Sequence, residues 1–375
     1  MLLIIISHIS CTQSHYLFLT PIDTLYLPAQ PLEIRSFYSF TDTTQVNTYF
    51  HFDENRKLYF NYCVNAVLPT ISFPLKGLIG DYLIDEGSKL LIRYPQKNYF
   101  ERIDSTGAAR DTLFTDFGEK NDEAYTMDSF DFAFSCPILD LNNITKKYYT
   151  YTFLQSQSNY AINKVSREQM LSEKLITELT EEHQFLKATR RFGDFPQSFN
   201  SNSTLFSYNF DVAMNKDTVF LLINEIFDSI FVICLDGSTK THFMKSKYQN
   251  HKHDYIDTSR YLDNFYLDQI AMEKVMYIFI LYDSYRNLYY IVVGKSAKHV
   301  NKDGTINDPY DKPWSLMVLN EQFEQLAEID MPDHLSKHEI MIVPEGIAIQ
   351  DNNLSDDNRA CFVIFNVKWK NLKKH

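Results

Sequence analysis

Two groups of side chains in this sequence have spacings that metal sites use. His242, His251, His253, Asp254 and Asp257 form the densest run of candidate ligands. Zinc needs imidazole nitrogens or carboxylate oxygens held in a rigid tetrahedron. Here lysines interleave the ligands and no rigid strand carries them, so a solvated loop is expected rather than a metal site. His334 and His338 are four apart, which would align two imidazoles on a helix. Their segment, Asp333-His-Leu-Ser-Lys-His338, follows a proline and lacks the glutamate that a zinc-protease helix places beside its first histidine.

Carboxylates offer a second chemistry, because general acid/base hydrolysis needs two of them brought together by the fold. Asp53, Asp85, Asp211 and Asp283, with Arg286 beside the last, fall at turn positions of hairpin-like segments. On one face they would form a ring able to bind a cation or a sugar. Turn chemistry alone accounts for the same residues and carries more weight, since an aspartate carboxylate accepts hydrogen bonds from nearby backbone N–H groups. The nucleophile elbow G-x-S-x-G, the dinucleotide fingerprint and the Walker sequence are all missing, and ten glycines in 375 residues leave little material for phosphate-cradling loops. No catalytic residue is assigned and no cofactor or metal is expected. Whether the protein is an enzyme stays open, with the non-enzymatic reading ahead.

The elements that would position these residues are strands. Alternating β-branched and aromatic segments run from one end of the chain to the other. A strand, a polar Asp/Asn apex and a second strand recur over 51–60, 82–92, 209–220, 281–290 and 340–349. A second hairpin type recurs at 103–107, 179–185, 235–238 and 319–323. Three of these lie about 20 residues after a first-type hairpin near 85, 157 and 215, the spacing of a four-stranded antiparallel sheet. Two hairpins per unit, at a period of about 50 to 65 residues, is the sequence form of a propeller blade. The expected fold is all-β, a single β-propeller domain over 12–375 with six four-stranded blades, and seven as the alternative. A pair of β-sandwiches would show a Pro-, Gly- or Ser-rich linker near the middle, and the sequence has none. Only 166–191 has a competing helical pattern, with Ser166 and Gln169 as a capping box and Leu171, Leu175, Leu179 and Leu186 on one face. Its second half, 179–192, matches the second hairpin type and is read as strands.

Composition supplies further limits. A 45% hydrophobic share excludes disorder, and a net charge of -12 opposes any general affinity for nucleic acid or anionic lipid. The opening Met1-Leu-Leu-Ile-Ile-Ile-Ser-His-Ile-Ser10 is too short to span a bilayer, yet it suits a signal-peptide core followed by a lipoprotein cysteine at Cys11. It lacks a basic start, which a start codon placed too far downstream would explain, and an N-terminal strand with an incidental cysteine is the alternative. Residues 1–11 are thus expected to be a signal peptide and lipobox. Cys63, Cys136, Cys234 and Cys361 stand alone among apolar neighbours, as small core residues do. Most of the 29 Phe and 25 Tyr sit at strand positions and read as packing between blades before a sugar-stacking surface.

Tyr282-Asp-Ser-Tyr-Arg-Asn-Leu-Tyr-Tyr290, Trp314-Ser-Leu-Met-Val-Leu-Asn-Glu-Gln-Phe-Glu324, Val343-Pro-Glu-Gly-Ile-Ala-Ile349 and the strand 361–367 resemble the C-terminal half of a Bacteroidota envelope lipoprotein family, catalogued as a domain of unknown function. Arg191-Phe-Gly-Asp-Phe-Pro196 looks like its Gly-x-x-Pro turn. The resemblance covers roughly residues 50 to 367 and implies a six-bladed propeller in the cell envelope, with no reaction attached. The family's arginine after the paired tyrosines is Ile291 here, and the acidic cluster that often follows the lipid-bearing cysteine of surface-exported members is missing from 12–16. The resemblance therefore favours the periplasmic side of the outer membrane over the cell surface. The expected function is a non-enzymatic binding or scaffold module, with an envelope protein or glycan on its axial face and membrane contact through the lipid only. The alternative is a glycan-active hydrolase or lyase using channel carboxylates.

Overall fold

Strands dominate the described residues, as the hairpin pattern requires. The computed structural model describes residues 15–28, 38–41, 47–52, 57–63, 70–74, 81–85, 89–93, 99–103, 110–116, 139–142, 147–151, 174–194, 210–215, 220–224, 228–249, 263–356 and 359–371. Contacts divide the chain into two compact units, one of Met1–Gln30, Ser201–Val232 and Lys240–His375, the other of Pro31–Asn200 and Ile233–Thr239.

In the second unit, β2 (Tyr38–Thr41), β3 (Asn47–Phe52), β4 (Lys57–Cys63) and β5 (Thr70–Pro74) form a four-stranded antiparallel meander. Eight further strands make one sheet. They are β6 (Asp81–Asp85), β7 (Lys89–Arg93), β8 (Tyr99–Ile103), β9 (Arg110–Asp116), β10 (Leu139–Asn142), β11 (Lys147–Tyr151), β12 (Lys174–Glu182) and β13 (Phe185–Asp194). Their order, β10-β11-β12-β13-β9-β8-β7-β6, resolves into two four-stranded meanders. The last strands of the two meanders join in parallel, Phe185 opposite Phe114 and Lys187 opposite Asp116. Phe100, Leu113, Leu179 and Leu186 make the core there. The strand reading of 179–192 is correct. The hairpin expected near 157 falls outside the described residues; the described part of that meander opens with the pair β10 and β11.

The first unit contains β14 (Phe210–Met214), β15 (Phe220–Asn224), most of β16 (Ser229–Ile233) and β17 (Thr239–Phe243), then β18 (Met276–Asp283), β19 (Leu288–Gly294), β20 (Trp314–Leu319) and β21 (Gln325–Asp330). Each set of four is one sheet in chain order. The last sheet runs β1-β24-β23-β22, so β1 (His15–Pro28) supplies the outer strand beside β22 (Leu335–Val343), β23 (Gly346–Asp351) and β24 (Arg359–Asn371).

The β18–β21 sheet is buried on both faces, which explains why β19 reads Leu-Tyr-Tyr-Ile-Val-Val-Gly without polar alternation. Leu288, Tyr290 and Val292 pack with Trp314, Leu316 and Val318 against Leu19, Ile347 and Phe365 of the closing sheet. Tyr289, Ile291 and Val293 face Ile230 and Val232 of β16. Gly346 opens β23 because the chain passes too close for a side chain: a Cβ there would lie 1.9 Å from the carbonyl oxygen of Phe365. Among the described residues there is one α-helix, α1 (Asn264–Glu273), capped by the Asp263 carboxylate accepting from the Tyr266 N–H at 3.1 Å.

Candidate functional site

Asp283 ends β18 and is wholly buried. Its Oδ1 accepts from the backbone N–H groups of Tyr285 and Arg286, each at 3.0 Å, and so shapes the turn into β19. Its Oδ2 accepts from the Tyr290 hydroxyl at 3.0 Å and lies 3.1 Å from Arg286 Nε. Burial pushes the Asp283 carboxyl above its usual range, opposed by the Arg286 charge and by these hydrogen bonds. Arg286 then donates to the carbonyls of Val343 at 2.7 Å and Pro344 at 3.2 Å, tying the β18–β19 turn to the β22–β23 turn.

The other candidate aspartates do not share this position throughout. Asp85 ends β6 as Asp283 ends β18, each at the first hairpin of its own sheet. Asp211 is the second residue of β14, in register with Ile223, and is not at a turn. Asp53 lies outside the described residues, as do Cys11, Cys136, His251, His253, Asp254 and Asp257. The His242 ring lies tilted against the Phe323 ring, centroids 4.6 Å apart, and burial, aided by Lys240, lowers its pKa. His334 and His338 belong to a strand and the turn before it, so helical alignment of their rings does not arise. His334 Nε2 is 3.7 Å from Asp351 Oδ2. Cys361 is buried among apolar strands and Cys234 is partly buried. No cluster of three or more metal-ligating side chains occurs among the described residues.

A second polar system was not anticipated from the sequence. Glu328 of β21 is 3% exposed; its Oε1 accepts from the hydroxyls of Ser246 at 2.7 Å and Ser315 at 2.8 Å, and its Oε2 from the Lys247 N–H at 2.7 Å. The Tyr277 hydroxyl extends the network, donating to Asp228 at 2.5 Å and accepting from the Ser246 N–H at 3.2 Å. Burial and the Asp228 charge drive the Tyr277 pKa far up, so the phenol stays protonated. At the rim, Asp330 accepts from Lys247 at 2.9 Å and also from Lys295 and Tyr248. Burial alone would raise the Asp330 pKa, but these donors outweigh it and hold the carboxyl at about 2. The signal was present as polar interruptions in apolar strands, Ser315 in Trp-Ser-Leu-Met-Val-Leu and Glu328 in Leu-Ala-Glu-Ile.

Two buried lysines act as internal cations. Lys312 donates to the carbonyls of Ala271, at 2.6 Å, and Lys274, where the negative end of the α1 dipole lies. Lys337 of β22 donates to the carbonyls of Pro309 at 3.1 Å and Lys312 at 3.0 Å, and burial lowers its pKa to about 8. In the second unit, Arg102 holds Glu181 through its Nη2 and Nη1, at 2.7 and 3.4 Å, and the Tyr149 hydroxyl donates to Glu178 at 3.0 Å. These charges brace strands and turns.

The chain shares its fold with a member of the DUF4221 family from Bacteroides vulgatus, at 15% identity and a TM-score of 0.70, over 95% of this chain and 99% of that one. That likeness shows the fold alone. A virginiamycin B lyase from Staphylococcus aureus is a looser structural neighbour, with 10% identity, a TM-score of 0.44 and coverage of 91% of this chain and 99% of the lyase; a TM-score that low says nothing of chemistry. No protein-family model matches the chain, and no curated protein matches it in sequence.

Proposed function

We propose that the five four-stranded meanders and the closing sheet are the six blades of a β-propeller and that the protein is a binding or scaffold module of the bacterial envelope, not an enzyme. The topology supports the ring: β1 completes a sheet whose other three strands come from the far end of the sequence, the device by which propellers close. Cys11, four residues before β1, would carry a lipid after removal of the apolar leader, with the periplasmic side favoured. An envelope protein or glycan would bind on the axial face, where propeller loops converge.

The observation that carries the non-enzymatic reading is the state of Asp283. A hydrolase of the alternative kind would use a turn carboxylate as acid or base facing the channel. Asp283 instead commits both oxygens to its own turn, to Tyr290 and to Arg286. Calorimetric titration with envelope glycan fragments, paired with a reducing-end assay on the same samples, tests this reading. Binding without new reducing ends or unsaturated products is expected, and catalytic turnover would overturn it. For the tether, Cys11→Ala should move the protein from the membrane fraction to the soluble fraction; unchanged membrane association would refute the lipid.

A further inference from the structure

The closing sheet carries an overhang. β23 pairs with β24 only over Phe362–Phe365, whereas β1 continues to pair with β24 from Val367 to Asn371. Residues His15–Leu19 and Val367–Asn371 therefore form a two-stranded ribbon beyond the rest of the sheet. Two-stranded ribbons are marginal in water on their own. This one is rooted by Leu19, which is 3% exposed in the core, and by Val367 packed against that core.

The ribbon's charge runs against the chain's. The protein carries -12 overall, yet 11–20 contains no acidic residue, and 367–375 contains Lys368, Lys370, Lys373 and Lys374 with no acidic residue. Register places Lys368 opposite Phe18, Trp369 opposite Leu17 and Lys370 opposite Tyr16. Lys368 is exposed. Basic residues interleaved with Trp and Tyr are the residue types that settle at the headgroup level of a membrane. Position adds to composition: the ribbon starts at His15, so Cys11 can lie no more than roughly 14 Å from it by chain length.

We propose that this ribbon docks on an anionic lipid surface and is the second membrane contact beside the lipid on Cys11. The inference deepens the tether reading and rests on it for the choice of a bilayer as the occupant. One acyl chain gives only marginal, reversible attachment, and a basic patch is one of the additions that make it stable. The expectation of contact through the lipid only is thereby revised: the net charge opposes lipid binding in general, while the ribbon concentrates local positive charge where the chain would meet the membrane.

The test uses the full-length Cys11→Ser chain, which cannot be acylated there, and the same chain with Lys368→Gln and Lys370→Gln. Co-sedimentation is measured with vesicles of phosphatidylglycerol and phosphatidylethanolamine and with vesicles of phosphatidylcholine alone. The parent should prefer the anionic vesicles at low salt and lose that preference at high salt. The double variant should lose roughly 30-fold in partition to the anionic vesicles, with an unchanged circular dichroism spectrum. Equal binding to both vesicle types, or full retention by the double variant, would overturn the proposal. An oligonucleotide bound with the same lysine dependence would overturn the choice of lipid. Mass spectrometry of Cys11 in the native protein separates the two readings: lysine-dependent binding with an unacylated cysteine refutes the tether, and an acylated cysteine without lysine dependence refutes the ribbon.

Discussion

Replacing the wholly buried Asp283 by alanine removes four interactions: the acceptor of two backbone N–H groups, the partner of the Tyr290 hydroxyl and the countercharge of Arg286. Breaking a buried ion pair from one side costs about 3–5 kcal/mol. Two circumstances pull the value to the low end. Arg286 keeps its bonds to the Val343 and Pro344 carbonyls, and Tyr285 is exposed enough for water to reach the turn. A loss of about 3 kcal/mol in urea titration is therefore expected. A double-mutant cycle with Arg286→Ala should recover about 1–2 kcal/mol of coupling. Asp283→Asn adds a pH test. Because burial raises the folded carboxyl pKa, the folded state binds the proton more tightly than the unfolded chain. The wild-type contribution is then fullest below the unfolded pKa and is lost as pH rises through the folded value. The deficit of Asp283→Asn should accordingly be larger near pH 4.5 than at pH 7. A loss under about 1 kcal/mol for the alanine variant, or a deficit that shrinks on acidification, would refute the account of this turn.

Glu328→Gln should cost about 1.5–3 kcal/mol, since an amide cannot reproduce charge-assisted acceptance from Ser246, Ser315 and Lys247 together; faster hydrogen exchange of the Lys247 amide would report it. Lys337 has a folded pKa depressed to about 8, so its linkage contribution is lost as pH falls through that value and grows as pH rises toward the unfolded value. Wild type should therefore gain up to about 3 kcal/mol relative to Lys337→Met between pH 7 and 10, and a flat difference in urea titrations across that range would refute the internal-cation assignment.

Most of the strand order was legible because hairpins announce themselves locally. An alternating run, an Asn or Asp apex and a second run are contained in about ten residues, and among the described residues both hairpin types recur. What escaped required information from distant parts of the chain. Asp211 and Asp283 look alike as letters, but pairing register puts one inside a strand and the other at its end. Helix α1 begins Asn-Phe-Tyr-Leu, an aromatic start that imitates a strand, and the Asp263 cap is its one local helical signal. Buried Lys312 and Lys337 were invisible because a lysine in isolation reads as solvated. Only the arrival of carbonyls from α1 and from 309–312 makes their burial tolerable.

The scarcity of glycine and the abundance of carboxylates turn out to be one fact. Turns can be made by residues free to enter the left-handed region, which is glycine's advantage, or by a side-chain oxygen that accepts the next backbone N–H groups. This chain uses the second device often, in two of the following turns together with a left-handed glycine, Gly237 after Asp236 and Gly304 after Asp303. Asp236 accepts from Ser238 N at 2.8 Å, Asp303 from Thr305 N at 3.0 Å, Asp351 from Asn353 N at 2.9 Å, and Asn320 from Gln322 N and Glu324 N at 2.9 and 2.8 Å. Among the described residues the left-handed region is filled three times by glycine, at Gly193, Gly237 and Gly304 with φ of 80, 91 and 86°, and three times without it: His183, Asn287 and Phe323 have φ of 58, 52 and 63°. Asparagine tolerates that region, but a phenylalanine there costs about 1–2 kcal/mol. At Phe323 the compensation is visible, since the strained backbone places the ring between His242 at 4.6 Å and Tyr289 at 5.1 Å. A carboxylate hydrogen-bonded to its own turn is a structural part, and its number in the sequence says nothing about catalysis.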